Sequence, residues 1–151
     1  MVDYKLLKQQ IMGLLEIDKN YISVFANVSS ILFHGLVNIN WAGFYLVRDN
    51  RLYVGPFNGK PACVIIENGK GVCGTCLATK QPLIVDDVHH FEGHIACDSA
   101  SNSELVIPLI LDEKVVAVLD IDSFEFNNFS QYDLEMLLDI MDNLVRELDF
   151  S

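Results

Sequence analysis

The stretch LVIPLILDEKVVAVLDID, residues 105–122, contains two largely apolar runs on either side of the charged segment Asp112-Glu113-Lys114. Short apolar runs that are rich in β-branched residues and bounded by turn residues are typical of buried strands. Residues 105–111 and 115–121 are therefore predicted to form a hairpin. Because both runs are nearly all apolar, we expect this hairpin to lie at the centre of a sheet.

A second hairpin is predicted upstream of the first. Residues 41–47 have the composition of a strand, and residues 51–54 follow as its partner across Asp49-Asn50. Asn tolerates the left-handed backbone that two-residue hairpin turns need, which favours a tight turn at this point. Gly55-Pro56 is expected to end the second strand of this hairpin.

The region between the two hairpins combines short strands with a long irregular segment. Residues 63–66 and 83–85 are short β-branched runs, predicted to be strands of the same sheet, with a short helix over residues 75–79 between them. Residues 86–103 show neither a helical nor a strand period. A loop of this length in a compact domain is usually functional.

Amphipathic helices are predicted at both ends of the chain. Apolar residues recur at three- and four-residue steps over residues 4–15, 22–32 and 134–148, and Ser130 with Asp133 forms an N-cap pair before the last helix. The predicted fold is α+β: one domain spanning residues 1–151, a mostly antiparallel sheet, and N-terminal and C-terminal helices packed on one face. This layout resembles a GAF or PAS sensor domain.

Composition narrows the class of function. The chain has 151 residues and 51% hydrophobic residues, enough for one sizeable core, and 21 acidic against 10 basic residues give a net charge of -11. This charge disfavours binding to nucleic acids and to anionic membranes. Neither a membrane-spanning apolar run nor a secretory signal is present, so we expect a cytoplasmic protein, where structural disulfides are uncommon.

The reactive side chains cluster in the least regular part of the chain. All four cysteines and three histidines fall within residues 63–97: Cys63, Cys73, Cys76, Cys97, His89, His90 and His94. Cys73 and Cys76 form a CxxC pair and His94 and Cys97 an HxxC pair, so a four-ligand zinc site is one alternative, although its second half has irregular spacing. Another is that Cys76, and Cys73 with it, are inert buried thiols.

A redox function requires an accessible nucleophilic thiol and a second thiol that can reach it. Cys97 lies in the long loop beside Asp98 and Ser99, where a following helical turn would direct N–H groups at its thiolate. Cys63 begins a predicted strand, where it could be held at the edge of the sheet. These two positions make Cys97 the candidate nucleophile and Cys63 a candidate partner.

Three acidic residues form a second candidate cluster. Asp120 and Asp122 alternate on one predicted strand and so share a face, and Glu104 precedes the strand that pairs with it. Three carboxylates on one pocket wall would repel, so at least one is expected to keep its proton near neutral pH. The alternative is that Asp120 and Asp122 cap a turn before Phe124. Residue type alone favours a core position for Trp41.

Seven sequence blocks follow one another along most of the chain: NWAGFYL from Asn40, GPFNGKPAC ending at Cys63, GKGVCG around Cys73, DVH at Asp87, GHIACDS around Cys97, SELVIPL from Ser103, and LDIDS ending at Ser123. Together they resemble the free methionine-R-sulfoxide reductase family of GAF domains. Agreement in seven consecutive blocks along most of the chain is specific. The resemblance, and not composition or periodicity, indicates the substrate.

The resemblance implies a thiol mechanism that needs no cofactor and no metal. Cys97 is expected to attack the sulfoxide sulfur and become a sulfenic acid, which Cys63 resolves as a disulfide that thioredoxin reduces. Cys73 is the third family cysteine and an alternative resolving or relaying thiol. Cys76 and His90 depart from the family pattern, and Cys76 leaves open which thiols pair, since it is close to Cys73 in sequence.

The resemblance also implies the substrate contacts. Glu104 and Asp122 are expected to hold the sulfoxide oxygen and favour its protonation, Asp120 to bind the substrate ammonium, and Trp41 to face the S-methyl group. A group placed in advance to stabilise charge on that oxygen would make the sulfur electrophilic. An acidic pocket also suits a free amino acid better than a peptide-bound residue, which lacks the ammonium.

The main alternative function is a ligand-sensing GAF domain without catalysis. Such a domain would signal through its terminal helices, but the chain is expected to end with the domain and to leave no output domain. The apolar faces of the end helices often form a dimer interface in GAF-type domains. We therefore expect a homodimer.

Overall fold

A computed structural model, which describes residues 1–94 and 100–151, contains a central antiparallel sheet of strand order β3-β2-β1-β6-β5-β4. Its helices are α1 Tyr4–Leu14, α2 Tyr21–Gly35, α3 Gly71–Thr79 and α4 Gln131–Val145. Its strands are β1 Ile39–Arg48, β2 Arg51–Gly59, β3 Ile65–Ile66, β4 Leu83–Val85, β5 Ser103–Leu111 and β6 Lys114–Ser123. The predicted α+β class with an antiparallel sheet is confirmed.

The hairpin of β5 and β6 forms as predicted, with a two-residue turn. Asp112 and Glu113 have φ angles of 51° and 67°, while Lys114 already belongs to β6. The hairpin was predicted to lie at the centre of the sheet; β6 does lie there beside β1, whereas β5 is one position further out. The outer neighbour of β5 is the three-residue β4, whereas β1 is bordered by the nine-residue β2. The longest ladder joins β5 and β6, which pair along the whole length of β5.

Strand β2 continues past Gly55-Pro56, where the sequence had predicted its end. Tyr45 pairs with Val54 and Gly43 with Phe57, so β2 holds one more residue than β1 at this point. Such a bulge accommodates proline, which has no N–H to donate to a ladder. The strand then resumes and brings Gly59 opposite Trp41.

Helices α1, α2 and α4 pack on one face of the sheet, as predicted. Their apolar stripes meet the alternate side chains of β1, β5 and β6, among them Phe44, Ile107 and Leu119. The N-cap pair of Ser130 and Asp133 is present as a capping box at the start of α4. Helix and sheet periodicities therefore combine into one large apolar core.

The opposite face of the sheet carries the shorter α3 and a second, smaller core. Helix α3 begins at Gly71, four residues before its predicted start at residue 75. Gly71 has a φ of 64°, a left-handed conformation that suits glycine and lets the chain enter the helix directly from a turn. Residues 86–94 and 100–102 contain a single 3₁₀ turn over Val88–His90, and Cys97 lies outside the described residues.

Within the described ranges, no helix combines the length and the apolar character needed to cross a membrane.

Candidate active site

Three neighbouring strands bring the predicted tryptophan and two acids into one row. Trp41 on β1 is the register partner of Asp122 on β6, which is in turn the partner of Glu104 on β5. Cross-strand partners point to the same face of a sheet, and Asp120 shares that face two residues earlier on β6. The acids therefore line a site instead of capping a turn before Phe124.

Trp41 is held in place by glycines and aromatic rings. A Cβ added to Gly43 would lie 2.9 Å from the Trp41 ring, and one added to Gly59 would lie 2.6 Å from it, so the indole occupies space that side chains would fill. The ring stacks on Phe57, and its Nε1 donates a hydrogen bond to the Lys60 carbonyl oxygen at 3.1 Å. The indole is therefore fixed before any ligand binds.

A cavity that is open to solvent lies over this row, with about 550 Å³ of empty space when its mouth is included. Its lining consists of Trp41, Tyr45, Pro61, Ala62, Ile66, Lys70, Gly71, Val72, Cys73, His94, Ser101, Glu104, Asp120 and Asp122. Its walls combine aromatic, acidic and thiol side chains. The predicted Trp41, Cys73, Glu104, Asp120 and Asp122 are thus brought together.

Burial sets the protonation of the acids. Glu104 is 8% exposed, and desolvation followed by the charges of Asp120 and Asp122 raises its pKa well above the usual value. Burial also raises the pKa of Asp120, while hydrogen bonds from neighbouring groups act in the opposite direction. Of these two acids, Glu104 therefore keeps its proton more readily and can donate a hydrogen bond into the cavity.

The two thiols of α3 have different surroundings. Cys73 lines the cavity and its Sγ donates a hydrogen bond to Glu104 Oε2 at 3.8 Å, while Cys76 is fully buried in the second core. Burial and then the charges of the nearby acids raise the pKa of Cys73 well above the usual value. Burial raises the pKa of Cys76 to about 12. Both thiols are free and have little thiolate character.

Cys63 directly follows the cavity-lining residue Ala62, precedes β3 by two residues and packs against the second core. It is half-buried and disulfide-bonded, whereas Cys73 and Cys76 are free. The predicted nucleophile Cys97 falls outside the described residues. His94, three residues before it in the sequence, and Ser101, four residues after it, both line the cavity.

The zinc alternative was derived from the spacing of Cys73, Cys76, His94 and Cys97, of which Cys97 lies outside the described residues. In the part of the chain that the structure describes, the side chains close enough to share an ion are Cys73, Glu104 and Asp120, whose ligand atoms lie within 4.8 Å of one another. Cys76 and His94 are not in that group. A thiolate with two carboxylates could hold a divalent cation, but not as the four-ligand knuckle that the spacing suggested.

Among the cavity residues that were missed at the level of the sequence are Tyr45 and Lys70. Tyr45 is 2% exposed and lies with its ring centroid 5.8 Å from that of Trp41. Its position four residues after Trp41 in one strand places both on the same face, a signal that was available in the sequence. Lys70 lines the cavity at the N-cap of α3, but it precedes a helix that had been predicted to start at residue 75.

Known proteins with this pattern were found by sequence and by structure. The family model for the GAF domain matches residues 20–148. The chain is 45% identical over 145 residues to the free methionine-R-sulfoxide reductase of Escherichia coli (strain K12). The aligned residues cover 96% of this chain and 88% of that protein. Among solved structures, it is similar to fRMsr of Staphylococcus aureus in its reduced form, with a TM-score of 0.95 and 44% identity over 99% of this chain and 97% of the other. The same protein in complex with its substrate matches with a TM-score of 0.93, 44% identity and the same coverage.

Proposed function

We propose that this chain, which belongs to the free methionine-R-sulfoxide reductase family of GAF domains, reduces free L-methionine-(R)-S-oxide to L-methionine. The observation that carries the proposal is the row of Trp41, Asp122 and Glu104, which share one face of the sheet and line one cavity. The similarity to a reductase solved with its substrate supports it.

Aromatic and acidic side chains are proposed to bind different parts of the substrate. Trp41 and Tyr45 form an apolar wall suited to the S-methyl group, and Asp120 binds the substrate ammonium. Asp120 is 6% exposed, and its Oδ1 has no hydrogen-bond partner among the described residues, which leaves this oxygen available to a donor from the ligand. A buried acceptor without a partner is costly, so an ammonium that pairs with it is strongly preferred.

Glu104 and Asp122 are proposed to hold the sulfoxide oxygen. The raised pKa of Glu104 favours its neutral form, which can donate a hydrogen bond to that oxygen. As the sulfur is attacked, negative charge grows on the oxygen and this hydrogen bond strengthens. Stabilising the transition state more than the bound substrate accelerates the reaction.

Cys97 is proposed as the nucleophile. Its sulfur attacks the sulfoxide sulfur, which is reduced to the thioether as the oxygen passes to Cys97, and Cys97 is thereby oxidised to a sulfenic acid. The high pKa values of Cys73 and Cys76 argue against either of them in this role. The sequence resemblance around Cys97 is the positive support.

Cys63 is proposed as the resolving thiol. Its sulfur attacks the sulfenic sulfur, an S–S bond forms, the S–O bond breaks, and the oxygen leaves as water. Thioredoxin then reduces the disulfide, which is consistent with a cytoplasmic location. The disulfide-bonded state of Cys63 beside two free thiols supports Cys63 over Cys73 in this role.

The test uses the two diastereomers of free methionine sulfoxide with a thioredoxin system. Turnover of the R form and not of the S form is expected, and Cys97→Ser should abolish it. Cys63→Ser should give one equivalent of methionine and then stop, whereas Cys73→Ser should continue to cycle. Absence of turnover on the R form would leave a ligand-sensing domain as the better account, and continued cycling of Cys63→Ser would assign resolution to Cys73 or Cys76.

A homodimer is proposed as the assembled form. Leu6, Ile17 and Ile22, in and beside the first two helices, are 47–86% exposed. Sedimentation at micromolar protein should give a dimeric mass, and a purely monomeric profile would contradict this.

A further inference from the structure

Three side chains with metal-binding atoms converge on the cavity from three different elements. Cys73 belongs to the first turn of α3, Glu104 to β5 and Asp120 to β6, and all three are buried and line the cavity. One ligand atom from each, the thiol sulfur and one oxygen of each carboxyl group, lies within 4.8 Å of the other two. The packing of α3 on the sheet therefore sets the spacing of the three atoms.

This spacing is close to what a tetrahedral zinc ion requires. Zn–S bonds are about 2.3 Å long and Zn–O bonds about 2.0–2.2 Å, so a sulfur and an oxygen on one tetrahedral zinc lie roughly 3.5 Å apart. Cys73 Sγ lies 3.8 Å from Glu104 Oε2. A small movement of the side chains is therefore sufficient for both atoms to bind one ion.

An unpartnered buried oxygen is an independent indication of a cation. Asp120 is 6% exposed, and its Oδ1 has no hydrogen-bond partner among the described residues. Within residues 1–94 and 100–151, neither Asp120 nor Glu104 has an ion-pair partner. Burying carboxyl groups without a positive partner is costly, and a cation bound between them removes that cost.

The electrostatics of the cluster favour a divalent cation in the same way. Burial and then the charges of neighbouring acids raise the pKa values of Cys73 and Glu104. A bound metal ion is the largest charge in such a site, and it replaces the repulsion among these groups with attraction. The thiol and the carboxyl group can then lose their protons to the solvent and bind the ion as anions.

We propose that Cys73, Glu104 and Asp120 bind a Zn²⁺ ion, with a water in the fourth position, and that the bound ion excludes the substrate from the cavity. Binding of the ion is independent of the proposed function. Exclusion of the substrate rests on it, because Glu104 and Asp120 are the groups proposed to hold the sulfoxide oxygen and the ammonium.

The ligand set determines which cations fit. A thiolate favours zinc over magnesium and calcium, which take six or more oxygen ligands. Three protein ligands and one water are a common arrangement for zinc in sites that remain open to solvent. The site therefore differs from a closed four-ligand knuckle, and its ion should exchange with the solvent.

The test uses the full chain with Cys63→Ser and Cys97→Ser, which leaves Cys73 and Cys76 as its only cysteines. These two changes remove the thiols of the proposed redox cycle, which can also bind zinc. Calorimetry with ZnCl₂ should show one ion per chain, and MgCl₂ should give no heat of binding. Titration with Co²⁺ should produce the near-ultraviolet absorption band of a cobalt–thiolate bond.

Cys73→Ala and Cys76→Ala, added to this chain, form a matched pair one turn apart in α3. Cys76 is buried in the second core and does not belong to the group of ligands. Loss of a residue that supports a metal ligand costs roughly 10- to 100-fold in affinity, so loss of the ligand Cys73 should cost about 100-fold or more. Cys73→Ala should also remove the cobalt–thiolate band, whereas Cys76→Ala should change neither quantity.

Glu104→Gln tests the carboxyl ligands by a second measurement. It should weaken zinc binding by about 10-fold or more and keep the cobalt–thiolate band, because the thiol is still present. Glu113→Gln, in the turn of the same hairpin, is the control and should bind zinc unchanged. Circular dichroism establishes that each variant is folded, so the assignment does not depend on one substitution.

Competition with the substrate tests the exclusion. Free methionine-R-sulfoxide should raise the apparent Kd for zinc in proportion to its concentration. Glycine, which carries the same amino and carboxylate groups, corrects for zinc that the amino acid binds in solution. Sulfoxide that binds the metal-free protein but does not displace zinc would contradict the exclusion.

The remaining outcomes separate the metal site from the proposed function. Absence of zinc binding would overturn the site, and so would zinc binding that Cys73→Ala leaves unchanged. Zinc binding that depends on Cys73 and Glu104, in a protein that does not bind the sulfoxide at all, would support the metal site and contradict the proposed function.

Discussion

Adjacent residues of β6 belong to two very different regions of the molecule. Leu119 and Ile121 are fully buried in the core beneath the terminal helices, whereas Asp120 and Asp122 face the cavity on the other side of the sheet. The strand alternation assigns them to opposite faces although they share one backbone. One face is closed and apolar, while the other places acids and thiols in a half-open cavity.

The difference indicates that stability and chemistry are divided between the faces. Apolar burial stabilises the fold in proportion to the area removed from water. Burying carboxyl groups lowers stability unless they are neutralised or paired. The helical face should therefore determine the free energy of unfolding, and the cavity face should determine activity at some expense of stability.

The largest expected effect is on the helical face. Phe44 is fully buried, and its ring stacks on Phe25 with the centroids 3.9 Å apart. Phe44→Ala should lower the free energy of unfolding by about 3–5 kcal/mol through lost burial and the cavity it leaves. Urea unfolding measures this change. A large loss of kcat/KM in the fraction that stays folded would contradict the division between the faces.

Glu104→Gln should have the opposite effect, with a loss of activity and no loss of stability. It removes the acid proposed to stabilise the sulfoxide oxygen, so kcat/KM should fall roughly 100- to 1000-fold, as for one oxyanion-stabilising donor. The free energy of unfolding should not fall, because a buried ionisable group becomes a neutral amide. Glu113→Gln, in the turn of the same hairpin, is the matched control and should change neither quantity. Glu104→Gln with full activity would remove Glu104 from the reaction.

The dependence of stability on pH provides a finer test. The pKa of Glu104 is raised in the folded state, so folded protein binds more protons than unfolded protein at pH values between the usual 4.5 and the folded value. Stability should therefore decline as the pH rises through that window, by up to about 1.4 kcal/mol per pH unit for one group. The raised pKa of Asp120 acts in the same direction.

Urea unfolding of the unchanged protein and of Glu104→Gln at pH 5 and pH 8 measures this decline. Glu104→Gln should gain stability relative to the unchanged protein as the pH rises. A constant difference between the two would show that Glu104 titrates normally.

Cys76→Ala should have the smallest effect. Cys76 lies on the cavity side of the sheet but is buried in the second core, so the loss should be about 1 kcal/mol of stability, the scale of one small apolar group. Turnover with thioredoxin should be unchanged. Because its pKa is about 12, this thiol should also react slowly with alkylating reagents at neutral pH, which mass spectrometry of the folded protein can follow. Loss of cycling in Cys76→Ala would place this thiol in the redox path.

Local sequence patterns were sufficient to predict the fold class and many of the residues of the site. The apolar stripes of the terminal helices, the Ser130 and Asp133 cap and the strand alternation at Asp120 and Asp122 all depend on neighbours within a few residues. The helical and strand periods determine which face of its own element a side chain occupies, whatever the position of that element in the fold. The resemblance around Cys63, Cys73 and Cys97 added the family, which the comparisons confirmed.

Tertiary structure decided what depends on partners that are distant in the sequence. The bulge at Gly55-Pro56 arises from pairing with β1, and the middle position of β6 from the order in which strands meet. The raised pKa of Glu104 likewise requires burial and carboxylates from another strand. The sequence by itself determined which residues could carry this chemistry. Only the fold decided their protonation and which of them share a cavity, because burial and charge act through space and not along the chain.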